Sequence, residues 1–254
     1  MLRVKASLDR STPVAKGPVF IVGTGRSGTH FLCSALNAIS GLSDYYGGVE
    51  SPHMFEYISD KSFRGELLGS SQLEYYKVLM RLVYPNRLID QTHPNLWHVG
   101  QLINTFPNAR FIALSRNVYS VVNSMLSHKG TSSWIDAQKD FSPNEFLGIT
   151  KENLSLYKNN LSRIQRFAFR WVAHERRIAL ISTEYPASIF NVKFEDLGEN
   201  YLHTLEQVCN FLEIDFKYED LPRFKKLSLN KQDLLTDVDR LQIKQALSLF
   251  DANS

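Results

Sequence analysis

The chain has 2 cysteines among its 254 residues, too few for a disulfide framework, and no CxxC spacing that would suggest a metal site. Cys33 and Cys209 fall in amphipathic patterns and read as reduced, half-buried thiols. No run of about 18 apolar residues is present, which argues against a membrane span. The N-terminus carries Arg3 and Lys5 but no apolar core of signal-peptide length, so the expected location is the cytoplasm. Charge of one sign is not in excess either. The 29 Lys+Arg against 26 Asp+Glu leave a net charge of +3, which argues against a nucleic-acid partner and suits a local site for a small anion. Repeats, low-complexity tracts and Pro/Gly/Ser linkers are lacking, so one domain over 1–254 is expected, with 1–16 as a flexible N-terminal segment. Nothing in the sequence fixes an oligomeric state.

What is present is an alternation. Strand-like runs rich in β-branched and aromatic residues occupy 19–23, 87–90, 110–115 and 188–194. Helical patterns lie at 27–39, 72–83, 95–106, 118–127, 153–182 and 200–212. Strands alternating with helices imply crossover connections and an α/β fold, a mostly parallel sheet covered on both faces as a three-layer sandwich. Ligands of such sheets bind beyond the carboxyl ends of the strands. Here those ends are Gly23–Thr29, Asp90–His93, Arg116 and Glu195–Asp196. The stretch 128–146 lacks periodicity and reads either as a lid or substrate loop or as a surface excursion.

The glycine-rich turn after the first strand, Gly23-Thr-Gly-Arg-Ser-Gly28, is the most informative segment. Backbone N–H groups of such a turn and the following helix start form a cradle for an anion. Arg26 adds a full charge, and Ser27 and Thr29 add hydroxyls. A dinucleotide site matches GxGxxG but wants an acid at the end of a second strand about 20 residues on; Gly41-Leu-Ser-Asp-Tyr-Tyr reads as a turn. A triphosphate P-loop wants lysine where Thr29 stands, followed by Ser or Thr where His30 stands. An ATP-dependent nucleotide or small-molecule kinase is therefore the second choice, and a non-catalytic nucleotide-binding module the third.

The loop with a cation at its tip followed by Ser-Gly-Thr resembles the 5′-phosphosulfate loop of the sulfotransferases. These enzymes transfer a sulfuryl group from 3′-phosphoadenosine 5′-phosphosulfate (PAPS). The strand Arg110–Ser115 runs into Arg116, with Ser124 eight residues later, similar to the pair with which the family grips the 3′-phosphate. A guanidinium fork and a hydroxyl suit phosphate oxygens. Val118 replaces a proline common in the family, which only favours a first helical turn. Further similarities are Val192-Lys-Phe-Glu-Asp-Leu197 before a Phe-Leu helix and Phe169-Arg-Trp171 within a long helix. The resemblance extends over roughly 17–215 and implies a P-loop NTPase-like sheet.

It further implies a cofactor site of Gly25, Arg26, Ser27, Gly28, Thr29, His30, Phe31 (against the adenine), Arg116 and Ser124. PAPS would be the donor, with no metal required. Arg26 would face the migrating group. For the base, Asp90-Gln-Thr-His93 is similar to two family variants at once, one using the carboxylate and one the histidine. Asp90 is the first choice and His93 the second. Gln91 stands where the family carries a second cation, which thus has no counterpart in this motif. Leu221-Pro-Arg-Phe-Lys-Lys-Leu, near the place of a late Arg-Lys-Gly loop, reads as a solvated charge run. Glu50 is a candidate acceptor contact. The implied acceptor is a hydroxyl or amine of a carbohydrate, glycolipid or small metabolite.

Overall fold

The computed structural model describes residues 16–48, 51–138 and 141–252. Strands β1 (Val19–Gly23), β2 (Leu42–Ser43), β3 (Arg87–Asp90), β4 (Arg110–Ser115) and β5 (Ile189–Lys193) pair in the order β2-β3-β1-β4-β5, all parallel. The helices are α1 (Thr29–Asn37), α2 (Pro52–Arg64), α3 (Ser70–Val83), α4 (Val99–Thr105), α5 (Val118–Ser127) and α6 (Lys129–Ala137). They continue with α7 (Leu154–Asn159), α8 (Arg163–Glu184), α9 (Phe194–Glu199), α10 (Tyr201–Leu212) and α11 (Asp237–Ala252).

Alternation along the strands sorts the layers. Phe20, Val22, Leu88, Phe111 and Ala113 pack with α2, α3, α4 and α8. Val19, Ile21, Ile89, Ile112 and Leu114 point the other way, onto α1 and α10. Both faces are thus buried, which is why these strands read as continuous apolar runs. A third cluster, with Val121, Ile135, Phe167 and Ile243, joins α5, α6, α8 and α11 beside the sheet. Among the described residues no helix is long and apolar enough to cross a membrane.

Several expectations need correction. The turn expected after Gly41 contains β2, whose Leu42 and Ser43 pair with Arg87 and Leu88; two residues are too few to show a strand period. The dinucleotide reading gains nothing from it. β3 lies between β2 and β1, whereas that fold sets the second strand beside the first, and Asp44 is occupied by the Tyr46 and Gly48 amides. The helical pattern at 153–182 is two helices, because Ser162 and Gln165 form a capping box that starts α8 afresh. The pattern at 95–106 begins earlier, as a 3-10 turn over His93–His98. Within 128–146, Lys129–Ala137 is the helix α6. His128 caps α6 by accepting from the Thr131 amide, and Glu145–Leu147 forms a 3-10 turn. The segment 1–16 lies, except for Lys16, outside the described residues.

Arg87 ties the amino-terminal edge of the sheet together. Its buried guanidinium donates to the carbonyls of Gly17, Leu212 and Asn108, and burial brings its pKa down to about 10. Arg87→Met should leave these three acceptors short of a donor and cost about 3 kcal/mol. A melting temperature lower by roughly 6–12 °C is the expected reading; a change of about 1 °C or less contradicts this role.

Candidate active site

The residues after β1 cannot continue as a strand. Arg26 (φ 77) and Gly28 (φ 108) both take left-handed backbone, and a non-glycine residue held there marks an over-determined turn. Glycine is required at 28, since a Cβ would meet the Phe194 ring at 2.4 Å. At Gly25 a Cβ would lie 2.9 Å from His93 Nε2 and 3.7 Å from Arg170 Nη2. The Ser27 amide closes the turn on the Thr24 carbonyl (3.1 Å), and α1 starts at Thr29.

Because β3 and β4 flank β1, their carboxyl ends open on either side of this turn. β4 delivers Arg116, and α5 delivers Ser124. Arg26 Nε donates to Ser124 Oγ (3.2 Å), and Arg116 Nη1 donates to the Arg26 carbonyl (3.4 Å). The Arg116 guanidinium lies 4.1 Å from the centre of the Phe194 ring, and Trp171 Nε1 holds the Arg116 carbonyl at 2.9 Å. Burial lowers the Arg116 pKa to about 10, against the pull of Glu195 and with the push of Arg26. It remains a cation at neutral pH.

β3 delivers Asp90 and His93, which part company. The Asp90 carboxylate accepts from the Thr92 amide and hydroxyl, Asn95 Nδ2 and the Tyr76 hydroxyl, so it faces its own loop. The His93 ring packs by Gly25 and, at 5.5 Å between ring centres, by Phe55. Gln91 Nε2 donates to the Gly48 carbonyl at 2.8 Å.

A cavity of about 1300 Å³ spreads over the turn. Its sheet side carries Gly25, Arg26, Gly28, Thr29, His30, Phe31, His93, Arg116 and Ser124. Its helical side carries Phe55, Phe63, Trp134 and Phe146, with Glu56, Ser59 and Asp60 on α2. The turn and strand ends thus bring cations to the cavity, while α2 brings carboxylates, of which Asp60 is paired with Arg64 (2.8 Å). Two expected residues do not line it: Asp90, and Ser27, whose Oγ is buried under the turn, 3.2 Å from where a Gly23 Cβ would sit. Glu50 lies outside the described residues. Phe31 is shared between the rim and a packing cluster with Tyr201 and Phe224, at 5.6 and 5.1 Å. The segment Lys129–Ala137, read as part of a lid or loop, supplies Gly130, Thr131 and Trp134 to the wall as a helix. Among the described residues no group of three or more His, Cys, Asp or Glu is placed to hold a metal ion.

Arg170 belongs to the Phe169-Arg-Trp171 similarity, which by itself assigns it no role. It lines the cavity beside His93 and Gly25. His174 supports it from behind: its Nδ1 donates to the Arg170 carbonyl (2.8 Å), leaving Nε2 to accept from Trp97 Nε1 (3.4 Å). That arrangement needs a neutral ring, and burial, with Arg170 adding to it, holds the His174 pKa well below the usual histidine range.

A sequence model described as the Sulfotransferase family matches residues 51–219. The match begins after the turn and includes Asp90, His93, Arg116, Ser124 and Arg170. No curated protein matches the chain in sequence. Among solved structures, the sulfotransferase domain from the curacin biosynthetic pathway superposes with a TM-score of 0.60 at 15% identity, covering 92% of this chain and 98% of that one. The sulfotransferase domain of the Synechococcus PCC 7002 olefin synthase gives 0.58 at 18% identity, with 92% and 96% covered. A mouse sulfotransferase complexed with PAP gives 0.53 at 15% identity, with 94% and 85% covered. At such identities the likeness is one of fold: a central parallel sheet with helices on both sides.

Two buried histidines outside the cavity make stability depend on pH. His98, hydrogen-bonded to Ser62, is brought down to about 4 by burial, and His174 lies well below its usual value. Both are neutral when folded and protonate on unfolding below about pH 6.5, so each withdraws stability as pH falls. Glu175, raised to about 7 by burial and Glu195, keeps its proton when folded and acts in the opposite direction between about pH 7 and 4.5. From pH 6.5 to 5 the two histidines outweigh Glu175, so stability falls with pH across that window. Chemical denaturation at the two pH values should show that fall, and Glu175→Gln should steepen it. A flat profile for both proteins contradicts the assignment.

Proposed function

The chain belongs to the sulfotransferase family, and we propose that it transfers a sulfuryl group from PAPS to a hydroxyl of a small-molecule or glycan acceptor. The observation that carries this reading is the convergence of two anion anchors, Arg26 in the turn and Arg116 at the end of β4, joined through the Arg26 carbonyl and Ser124 at one end of one cavity. A nucleotide charged at both its 5′ and 3′ positions needs two such anchors. The residues fit it: a glycine-rich cradle that admits no Cβ at 28, two cations, the Ser124 and Thr29 hydroxyls, and a cavity of about 1300 Å³.

PAPS, when bound, supplies an activated sulfuryl group. The turn amides and Thr29 would hold the 5′-phosphate, Arg26 would face the sulfuryl oxygens, and Arg116 with Ser124 would bind the 3′-phosphate. Such chemistry asks the protein mainly to position reactants and stabilise charge. His93 is the better base: it lines the cavity beside Gly25, whereas Asp90 is engaged by four donors of its own loop and neighbouring elements. His93 would take the acceptor proton on Nε2 as general base. Asp90 would then fix the loop that carries His93. On the acceptor side, aromatic faces beside Ser59, Glu56 and Asp60 suit a ring or alkyl body bearing hydroxyls. Trp171, bonded to the Arg116 carbonyl, positions the anchor.

Thermal denaturation separates this reading from its rivals. 3′-Phosphoadenosine 5′-phosphate (PAP) at a hundredfold its dissociation constant should stabilise the protein by about 2.7 kcal/mol, and ATP with Mg²⁺ should do little. Stabilisation by ATP alone would point to a kinase. PAP binding without release of PAP from PAPS across a panel of hydroxyl acceptors would point to a binding module. Once an acceptor is in hand, His93→Ala should lower turnover about 10²–10⁴-fold with PAP affinity unchanged. A His93→Ala enzyme that keeps most of its activity removes His93 as the base.

A further inference from the structure

Arg170 is an expensive residue. It sits in the middle of α8 with 7% of its surface exposed, and its Nε is buried with no hydrogen-bond partner. Burial brings its pKa down to about 10, still leaving it charged at neutral pH. Among the described residues no carboxylate compensates it. Its guanidinium is instead flanked by Phe146 (4.8 Å) and Trp134 (5.2 Å), whose ring faces stabilise a cation weakly and supply no anion. Leaving a buried cation unpaired costs several kcal/mol, so an anion that arrives with a ligand is the natural complement.

Where that anion lies is indicated by the neighbours. Nη2 of Arg170 and Nε2 of His93 border the same space, 3.7 and 2.9 Å from where a Cβ at Gly25 would sit. Gly25 directly precedes Arg26. At the nearby carboxyl end of β3, Gln91 is neutral and turned to the Gly48 carbonyl. His174 and Trp97 hold the α8 backbone at Arg170, so the guanidinium is presented from a rigid helix.

We propose that Arg170 is a catalytic residue that faces the oxygens of the sulfuryl group from the acceptor side, opposite Arg26. The inference rests on the sulfotransferase reading above. In the step concerned, the acceptor oxygen forms a bond to sulfur while the bond from sulfur to the 5′-phosphate oxygen breaks. The electron pair leaves on that phosphate oxygen, and the acceptor proton passes to His93. Arg170 neutralises charge on the sulfuryl oxygens throughout and makes no contact with the 3′-phosphate, which belongs to Arg116.

The test compares two ligands that differ only by that sulfuryl group. Calorimetric titration of PAPS and of PAP, without acceptor, is carried out on wild-type protein and on Arg170→Leu and Arg170→Lys. The expected result is PAPS binding weakened at least about tenfold in Arg170→Leu, PAP binding within about twofold of wild type, and partial recovery of PAPS affinity in Arg170→Lys. PAP binding that survives also shows that the variant is folded. Equal PAPS affinity in all three proteins overturns the inference, and so does a loss shared equally by PAP and PAPS in both variants. Either outcome leaves the proposed reaction standing. Wild-type protein that binds neither ligand overturns the reaction as well.

Discussion

The packing of Gly28, Phe194 and Arg116 is the contact on which the site depends. It joins the turn after β1, the start of α9 after β5, and the end of β4. Phe194 occupies the space a side chain at position 28 would need, and Arg116 lies on the ring. The arginine is thereby held on a surface that cannot neutralise it, and it reaches back to the Arg26 carbonyl. Phe194 thus packs on the turn at Gly28 and, with its ring face, on the second anchor. The strand order does the rest: with β1 between β3 and β4, the chemistry-bearing ends of both neighbours face the turn.

The cavity then divides into two ends. The sheet side collects Arg26, Arg116 and the amides of a helix start, all suited to anions. The helical side collects aromatic rings and, on α2, Glu56 and the Asp60–Arg64 pair. Arg170 and His93 lie where the two meet. On the proposed reading, donor and acceptor would meet there, as an in-line displacement requires of its scaffold.

Much of this was legible in the sequence, for physical reasons. β1, β3 and β4 are buried on both faces, so their apolar runs announced them with their bounds. Arg26, Arg116 and Ser124 came from the resemblance, and the structure brings them together at one end of the cavity. β2 was not legible, since two residues carry no period. The start of α8 could have been read from Ser162 and Gln165, a capping box that the longer helical pattern obscured. Asp90 and Ser27 show the limit of motif spacing. Both are the right residue types in the right place, but whether a side chain faces the cavity is decided by Tyr76, Thr92 and Asn95 in one case and by burial under the turn in the other. The role of Arg170 was not legible for a related reason: the Phe169-Arg-Trp171 similarity does not say what surrounds its guanidinium.

The central claim is that Arg26 and Arg116 form one site for a nucleotide charged at both ends, and it is tested most directly by titrating the protein with PAP and with 5′-AMP, which lacks the 3′-phosphate. In wild-type protein PAP should bind at least about tenfold more tightly, and Arg116→Ala should abolish that advantage while leaving 5′-AMP affinity nearly unchanged. Equal affinities for the two ligands in wild-type protein, or an Arg116→Ala variant that weakens both by the same factor, would contradict it.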